Sequence, residues 1–340
     1  MNIAVMGSGG WGLAMAKCMA EKGHGVAVWS HKPETTAMLR RDRCNPKLLR
    51  GVTLPAGISF TDDLGCVRGC PIVVIAVPSF AVCETARELS RHLEEGQVLV
   101  LLSKGFDLDH GCCLLSDTVA REVGRACPVV ALTGPSHAEE VSRGIPTAVL
   151  AASPSREAAE LVQRELSTDY LRIYTSPDIV SAELGGAMKN IMAVAVGISD
   201  GYGFGDNTKA MLMTRGIAEM ARLGQELGGD ARTFSGLSGV GDLIVTCISQ
   251  HSRNRRFGLL VGGGMPVEQA LEQVGAVVEG YFATRAVHQL TADKGLDMPI
   301  CQAMYHILME HAPLDGVITA LLGRVSRAEH DAYEAAELWK

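Results

Sequence analysis

Asn2-Ile3-Ala4-Val5-Met6-Gly7-Ser8-Gly9-Gly10-Trp11-Gly12-Leu13 is the stretch whose reading decides the fold. Residues 2–6 are mostly apolar and predict a short buried strand. Gly7, Gly9 and Gly12 follow in G-x-G-x-x-G register, with Gly10 inside the same turn. An Ala/Met-rich segment over 11–22 then predicts a helix, and Gly23 stands where it would stop. Strand, glycine turn and helix form the setting in which this motif marks a dinucleotide site. Gly7 permits the tight turn, Gly9 lets backbone approach a pyrophosphate, and Gly12 lets helix and strand pack closely. The N–H groups and dipole of the new helix face the anion. In a chain with 38 glycines the pattern alone is weak, and its flanks give it weight. A tight turn that binds nothing is the alternative.

Further strands extend this unit. Residues 25–30 predict a second strand, ending in Ser30-His31-Lys32. An NAD-selective unit usually places an acid there, on the ribose hydroxyls. No carboxylate is present to repel a 2′-phosphate, and two potentially basic groups stand ready to attract one. Tolerance of, or preference for, NADP is one reading, and two ordinary solvated loop residues the other. Residues 72–77, 97–102 and 129–132 are near-continuous apolar runs. Separated by helical patterns over 83–93 and 112–123, they indicate parallel strands buried on both faces. Thr147–Ala152 and 171–174 read as closing strands around a helix near Arg156–Leu166.

Ligands in such sheets lie beyond the C-terminal strand ends. Ser103-Lys104-Gly105 follows one run, which puts Lys104 at the mouth of the crevice; a solvated loop lysine is its plain alternative. Thr133-Gly134-Pro135-Ser136-His137-Ala138-Glu139 follows another. Ser136 and Glu139 have the spacing of a capping box.

Beyond Ser176-Pro177 strand signals become rare and helical stretches run on to Lys340. The chain is therefore expected to divide into a sheet domain, 1–176, and an all-α domain, 177–340. The span 179–199 predicts a helix apolar nearly all round, hence buried, yet Lys189-Asn190 sits in its middle. A buried ammonium is costly unless paired, and its pKa moves easily. We read Lys189 as catalytic; a structural pair with Glu183 or another acid is the alternative. Asp242, between glycines and an apolar run, either caps the next helix, orients a catalytic group or accepts a substrate hydroxyl. Ser252-Arg253-Asn254-Arg255-Arg256 concentrates three arginines where a helix begins. Arg and Asn donors at such a start suit a phosphate dianion, although three arginines in four residues cannot all point one way.

Composition bounds the rest. The chain has 340 residues, is 47% hydrophobic and 20% charged, and carries a net charge of −7. That is enough apolar material for a sizeable core, and it argues against general nucleic-acid or acidic-membrane affinity. Ten cysteines lie mostly in apolar or helical contexts with no C-x-x-C pair. They read as reduced thiols, and no metal is expected. No basic stretch precedes an apolar one as in a secretory signal. The apolar core near 191–198 is too short to span a bilayer. A cytoplasmic protein without membrane insertion is expected.

In order, these pieces resemble the bacterial NAD(P)-dependent glycerol-3-phosphate dehydrogenases. The likeness covers nearly the whole chain: the glycine opening with Trp11, Ser103-Lys104-Gly105, Gly134-Pro135-Ser136-His137-Ala138, Lys189-Asn190, Gly241-Asp242-Leu243, Ser252 to Arg256 and Val278-Glu279-Gly280. The resemblance implies interconversion of sn-glycerol 3-phosphate and dihydroxyacetone phosphate, with NAD or NADP, feeding glycerophospholipid synthesis. By the same resemblance Lys189 is the general base and acid. Lys104, Gly134, Ser136, Asp242, Ser252, Arg253 and Asn254 are substrate contacts. Ser8, Trp11, His31, Lys32, Lys104, Ala138, Arg253, Val277 and Glu279 are cofactor contacts. Asn190 either bonds a substrate oxygen or holds Lys189. A homodimer is the expected assembly.

The chemistry agrees with that reading. Oxidising a secondary alcohol needs a hydride acceptor, a base and an anchor. A free lysine, at about 10.4, is too basic to act near neutrality; burial and a second cation would lower it. Two rivals stand beside it. A 3-hydroxyacid or 6-phosphogluconate-type dehydrogenase shares the build. A nucleotide sensor without turnover would explain residues 1–150 but not Lys189.

Overall fold

The computed structural model describes residues 1–326 and Glu329. Of the expected helical half, 327–328 and 330–340 thus lie outside the described residues.

Eight strands form one sheet: β1 (Asn2–Met6), β2 (Gly25–Trp29), β3 (Ile58–Thr61), β4 (Ile72–Ile75), β5 (Val98–Leu101), β8 (Val129–Thr133), β9 (Thr147–Ala152) and β10 (Leu171–Ser176). A separate two-residue hairpin pairs β6 (Phe106–Asp107) with β7 (Cys113–Leu114). The sheet order is β10-β9-β8-β5-β4-β1-β2-β3. Starting at β1, the chain winds outward through β2 and β3, then returns to β4 and winds the other way. The C-terminal ends of β1 and β4 are therefore the switch point where a crevice opens. β4 and β5 are buried throughout, as a sheet covered by helices on both faces requires.

The doubly wound, parallel-dominated sheet matches the expectation, with differences at its margins. β9 pairs antiparallel with β8, and β10 runs parallel to β9, so the closing strands run against the other six. β3 is a strand that the sequence pattern did not announce. The helix expected from residue 112 begins at Leu115. Cys112, at φ +58°, sits in the hairpin turn, and Cys113 belongs to β7.

The rest of the described chain is helical. Its organising element is Ile179–Tyr202, 24 residues, capped by Asp178, whose side chain accepts from Ser181 N, and stopped by Gly203 at φ +98°. By length and composition this helix could cross a membrane, so the short-stretch argument above does not hold. Yet 89% of its most apolar window is buried inside the protein. Neighbouring chain packs on it at glycines. A Cβ on Gly197 would collide with the Arg255 carbonyl, one on Gly258 with the Val194 carbonyl, and one on Gly185 with the Ser238 carbonyl. Backbone thus approaches the central helix from two sides, closer than any side chain permits. Glu183 joins this helix to the sheet half: its carboxylate accepts from Ser116 N at 3.1 Å and from the Ser116 hydroxyl. Burial pushes the Glu183 carboxyl up to about 7.

Candidate active site

The glycine turn is built as its spacing requires. Gly7 has φ +123°, and a Cβ there would lie 2.6 Å from the Ala76 carbonyl oxygen. Gly12 packs on the Gly7 carbonyl and on Ala76. Gly9 caps the helix Gly10–Glu21, and the nearest atom to a Cβ there is 3.9 Å away. So Gly7 and Gly12 serve packing, while Gly9 leaves a cradle at a helix N-terminus that a pyrophosphate fits. Ser8 Oγ donates to Ser30 Oγ at 3.0 Å, tying the turn to the end of β2. A Cβ on Gly10 would meet the Ala138 Cβ at 3.6 Å, which puts Ala138 beside the turn. Trp11 Nε1 is buried without a partner, an orphaned donor beside that cradle. His31 and Lys32 are exposed past β2, and Lys32 precedes the helix Pro33–Asp42.

Across the crevice lies a cluster of charges. Lys189 is buried, with 7% exposure, and Asp242 has 1%. Lys189 Nζ donates to Asp242 Oδ1, and to Thr246 Oγ1 at 2.9 Å. Lys104 Nζ donates to the other carboxylate oxygen, Asp242 Oδ2, at 2.7 Å and to the Gly134 carbonyl at 3.0 Å, with Ser136 Oγ at 3.4 Å. One carboxylate thus holds two ammonium groups and leaves a net positive site. Burial pushes the Lys189 ammonium down to about 8, with Asp242 pulling it up and Lys104 pressing it further down. Burial alone would raise Asp242, but the Lys104 and Lys189 charges outweigh it and hold the carboxyl below its ordinary range.

Local chain geometry explains this placement. Lys189 and Asn190 project from a helix fixed by its glycine contacts. Gly186 has the Lys104 stem at 3.4 Å from where its Cβ would be. Lys104 leaves β5 and passes over that gap. Asp242 opens the helix Asp242–Ile248 and pairs with the lysines instead of capping it. Glu183 does not pair with Lys189. Nor does Ser136 act as a cap: the short helix Ala138–Val141 is preceded by His137 without a side-chain cap, and Ser136 Oγ donates to the Gly134 carbonyl at 2.9 Å.

The arginine segment divides as its spacing demands. Ser252 caps the helix Arg253–Gly262, accepting from Arg255 N. Arg255 turns back to Asp200 at 2.5 Å, and Arg256 reaches toward the Gln273 carbonyl at 3.5 Å. Arg253 is exposed, and its charge acts on Glu279. Asn254 is buried; its amide donates to Asn190 Oδ1 at 2.9 Å and its oxygen accepts from Gly280 N at 2.9 Å. Asn190 therefore braces Asn254 and does not bond Lys189. Val277 lies in the loop before the helix Glu279–Thr291. Glu279 crosses the crevice to accept from Ser79 Oγ at 2.7 Å, and burial raises its carboxyl.

Four participants were not read from the sequence. Thr246 follows Asp242 by four residues on one helix face, a spacing that predicts a shared site. Ser79 lies just past β4, where the strand-end rule points. Thr133 Oγ1 and His137 Nε2 are buried without partners around the Gly134 turn.

Comparison with known proteins identifies the family. The pattern of the NAD-dependent glycerol-3-phosphate dehydrogenase N-terminus matches residues 2–159, and that of the C-terminus matches 178–319. A protein of Moorella thermoacetica named glycerol-3-phosphate dehydrogenase [NAD(P)+] is 48% identical over 95% of this chain and 96% of its own. One of Chlorobium luteolum with the same name is 44% identical over 97% and 100%. The crystal structure of glycerol-3-phosphate dehydrogenase from Coxiella burnetii superposes with a TM-score of 0.90 at 35% identity, over 95% of this chain and 99% of that one. The chain belongs to the NAD-dependent glycerol-3-phosphate dehydrogenase family.

Proposed function

We propose that the Lys189–Asp242–Lys104 cluster carries out the family's reaction in this chain: interconversion of sn-glycerol 3-phosphate and dihydroxyacetone phosphate with NAD or NADP. The observation that supports this most directly is the buried Lys189 ammonium, lowered to about 8 and sharing the Asp242 carboxylate with a second cation, Lys104.

When bound, the nicotinamide supplies the hydride acceptor and donor. The chain supplies the rest. Neutral Lys189 takes the proton of the C2 hydroxyl in oxidation, and its ammonium returns it to the ketone oxygen in reduction. Lys104 presses down the Lys189 pKa and lies where a developing alkoxide needs positive charge. Asp242 holds both amines in place through its two oxygens, and Thr246 fixes the third direction. The N-terminus of the helix Arg253–Gly262, with Ser252, Arg253 and Asn254, anchors the phosphate, and that remote binding positions C2. Gly7, Ser8, Gly9, Gly10, Trp11 and Gly12 hold the pyrophosphate side of the cofactor. His31 and Lys32 take the ribose end, and Ala138, Val277 and Glu279 border the remainder.

We assign residues 1–176 to cofactor binding and 177–340 to the substrate and the catalytic lysine. Exposed Met211, Ile244, Ile248 and Leu259 on the helical half support a homodimer; light scattering should give twice 36.1 kDa. A cytoplasmic enzyme feeding glycerophospholipid synthesis fits this chemistry. The deciding test is the absorbance of reduced nicotinamide. It should fall when dihydroxyacetone phosphate is added, and not with a 3-oxo acid. Turnover of the acid alone would favour the hydroxyacid reading, and no turnover of either would favour a sensor.

A further inference from the structure

The Gly134–Ala138 turn carries a group that the scheme above leaves unused. His137 Nε2 is buried and has no hydrogen-bond partner, an arrangement that is costly unless a ligand answers it. The turn lies against the π-helical turn Leu237–Gly241 that leads to Asp242: a Cβ on Gly134 would meet the Leu237 Cβ at 3.6 Å, and one on Gly241 would meet the Pro135 ring at 3.5 Å. On its other side, the His137 ring stands edge-on to His251, with centroids 6.2 Å apart. His251 immediately precedes Ser252, the cap of the proposed phosphate-anchoring helix. His137 therefore sits between the segment that ends at Asp242 and the His251–Ser252 segment at the proposed phosphate end.

We propose that His137 is a specificity-determining residue whose Nε2 hydrogen-bonds the primary C1 hydroxyl of the three-carbon substrate. The inference rests on the substrate reading given above. Burial and the nearby Lys189 charge lower the imidazole pKa, which favours the neutral ring. A neutral ring is a poor partner for a phosphate dianion and a good one for a hydroxyl. Either ring tautomer serves, because a hydroxyl both donates and accepts. A site built to hydrogen-bond a substrate hydroxyl discriminates strongly against the analogue that lacks it.

The test compares dihydroxyacetone phosphate with hydroxyacetone phosphate, which lacks the C1 hydroxyl. The wild-type enzyme should favour the former in kcat/KM by about 10²-fold. His137→Leu should lower kcat/KM for dihydroxyacetone phosphate and leave the analogue nearly unchanged, bringing the ratio to within a few-fold of one. His137→Gln should restore part of it. A merely structural role would lower both substrates together, and an unchanged ratio in His137→Leu overturns the proposal. So does a wild-type ratio near one, which needs no variant. If the leucine variant does not fold, the ring ¹⁵N resonance of wild-type His137, assigned by its loss in His137→Gln, decides. It should shift with glycerol 3-phosphate and stay in place with the 1-deoxy analogue; equal shifts overturn the assignment. Failure of wild-type enzyme to reduce dihydroxyacetone phosphate at all would instead remove the substrate reading.

Discussion

Lys104 and Lys189 reach one carboxylate from opposite halves of the molecule: Lys104 holds Asp242 Oδ2 at 2.7 Å, and Lys189 holds Oδ1. The two ammonium groups act on each other through it. Removing the Lys104 charge removes a force that lowers the Lys189 pKa and frees Asp242 to raise it. For glycerol 3-phosphate oxidation, kcat/KM should rise with pH through a limb near 8, because the proposed base acts as the neutral amine. In Lys104→Met that limb should move to higher pH. A pH–rate profile of both proteins checks this; a stationary limb with intact affinity would detach Lys104 from the base.

Asp242 carries the opposite sign. Its folded pKa lies below the ordinary carboxylate value, so it contributes stability above that value and loses it as pH falls through the folded one. Asp242→Asn leaves two cations without their shared counter-charge and should cost about 3–5 kcal/mol. Thermal unfolding at pH 7 should show the loss. The acid limb of stability should also flatten, since the group that titrates there is gone.

Arg253 is the arginine of its run that is neither tied to Asp200 nor turned toward Gln273. Arg253→Ala should raise KM for glycerol 3-phosphate by about tenfold or more, the scale of a charged hydrogen bond, with a smaller effect on kcat. Steady-state kinetics at saturating cofactor separate the two. Arg255→Ala, by contrast, breaks the Asp200 pair and should lower the melting temperature more than it raises KM.

Coenzyme choice turns on the end of β2. Ser30 is spent on Ser8, while His31 and Lys32 are exposed. His31→Asp places a carboxylate where a 2′-phosphate would lie. The ratio of kcat/KM for NADPH over NADH should then fall by about tenfold or more, the scale of about 1.4 kcal/mol of repulsion. An unchanged ratio would leave both residues as solvated loop groups.

The parts of this site that can be read from the sequence are those set by local chain rules. The glycine turn, the strand ends carrying Lys104 and Gly134, and a lysine inside an apolar helix each have one local explanation. Pairing does not. Lys189 and Asp242 are 53 residues apart, and their pairing follows from how the π-helical turn Leu237–Gly241 docks on Gly185, which no local pattern records. Asn254 is a similar case. Its position at a helix start suggests a phosphate contact, yet both ends of its amide are committed to Asn190 and Gly280. Under the proposed anchor, the group of that residue left to face an anion is its backbone N–H at the helix start. β3 escaped notice because four residues with one polar interior position carry little period.

The same docking supplies a test remote from every ligand. Gly258 sits where the helix Arg253–Gly262 crosses the central helix, and a Cβ there would enter the space of the Val194 carbonyl and lie 2.9 Å from Ile198 N. Neither atom can rotate away, because both belong to the central helix backbone. Gly258→Ala must therefore push the two helices apart, at about 1–3 kcal/mol for overpacking. The displaced helix carries Ser252, Arg253 and Asn254 with it. The melting temperature should fall, and KM for the phosphorylated substrate should rise more than KM for the cofactor, whose pyrophosphate end is assigned to the glycine turn. A variant that loses stability with unaltered KM would mean that the helix crossing does not position the phosphate anchor.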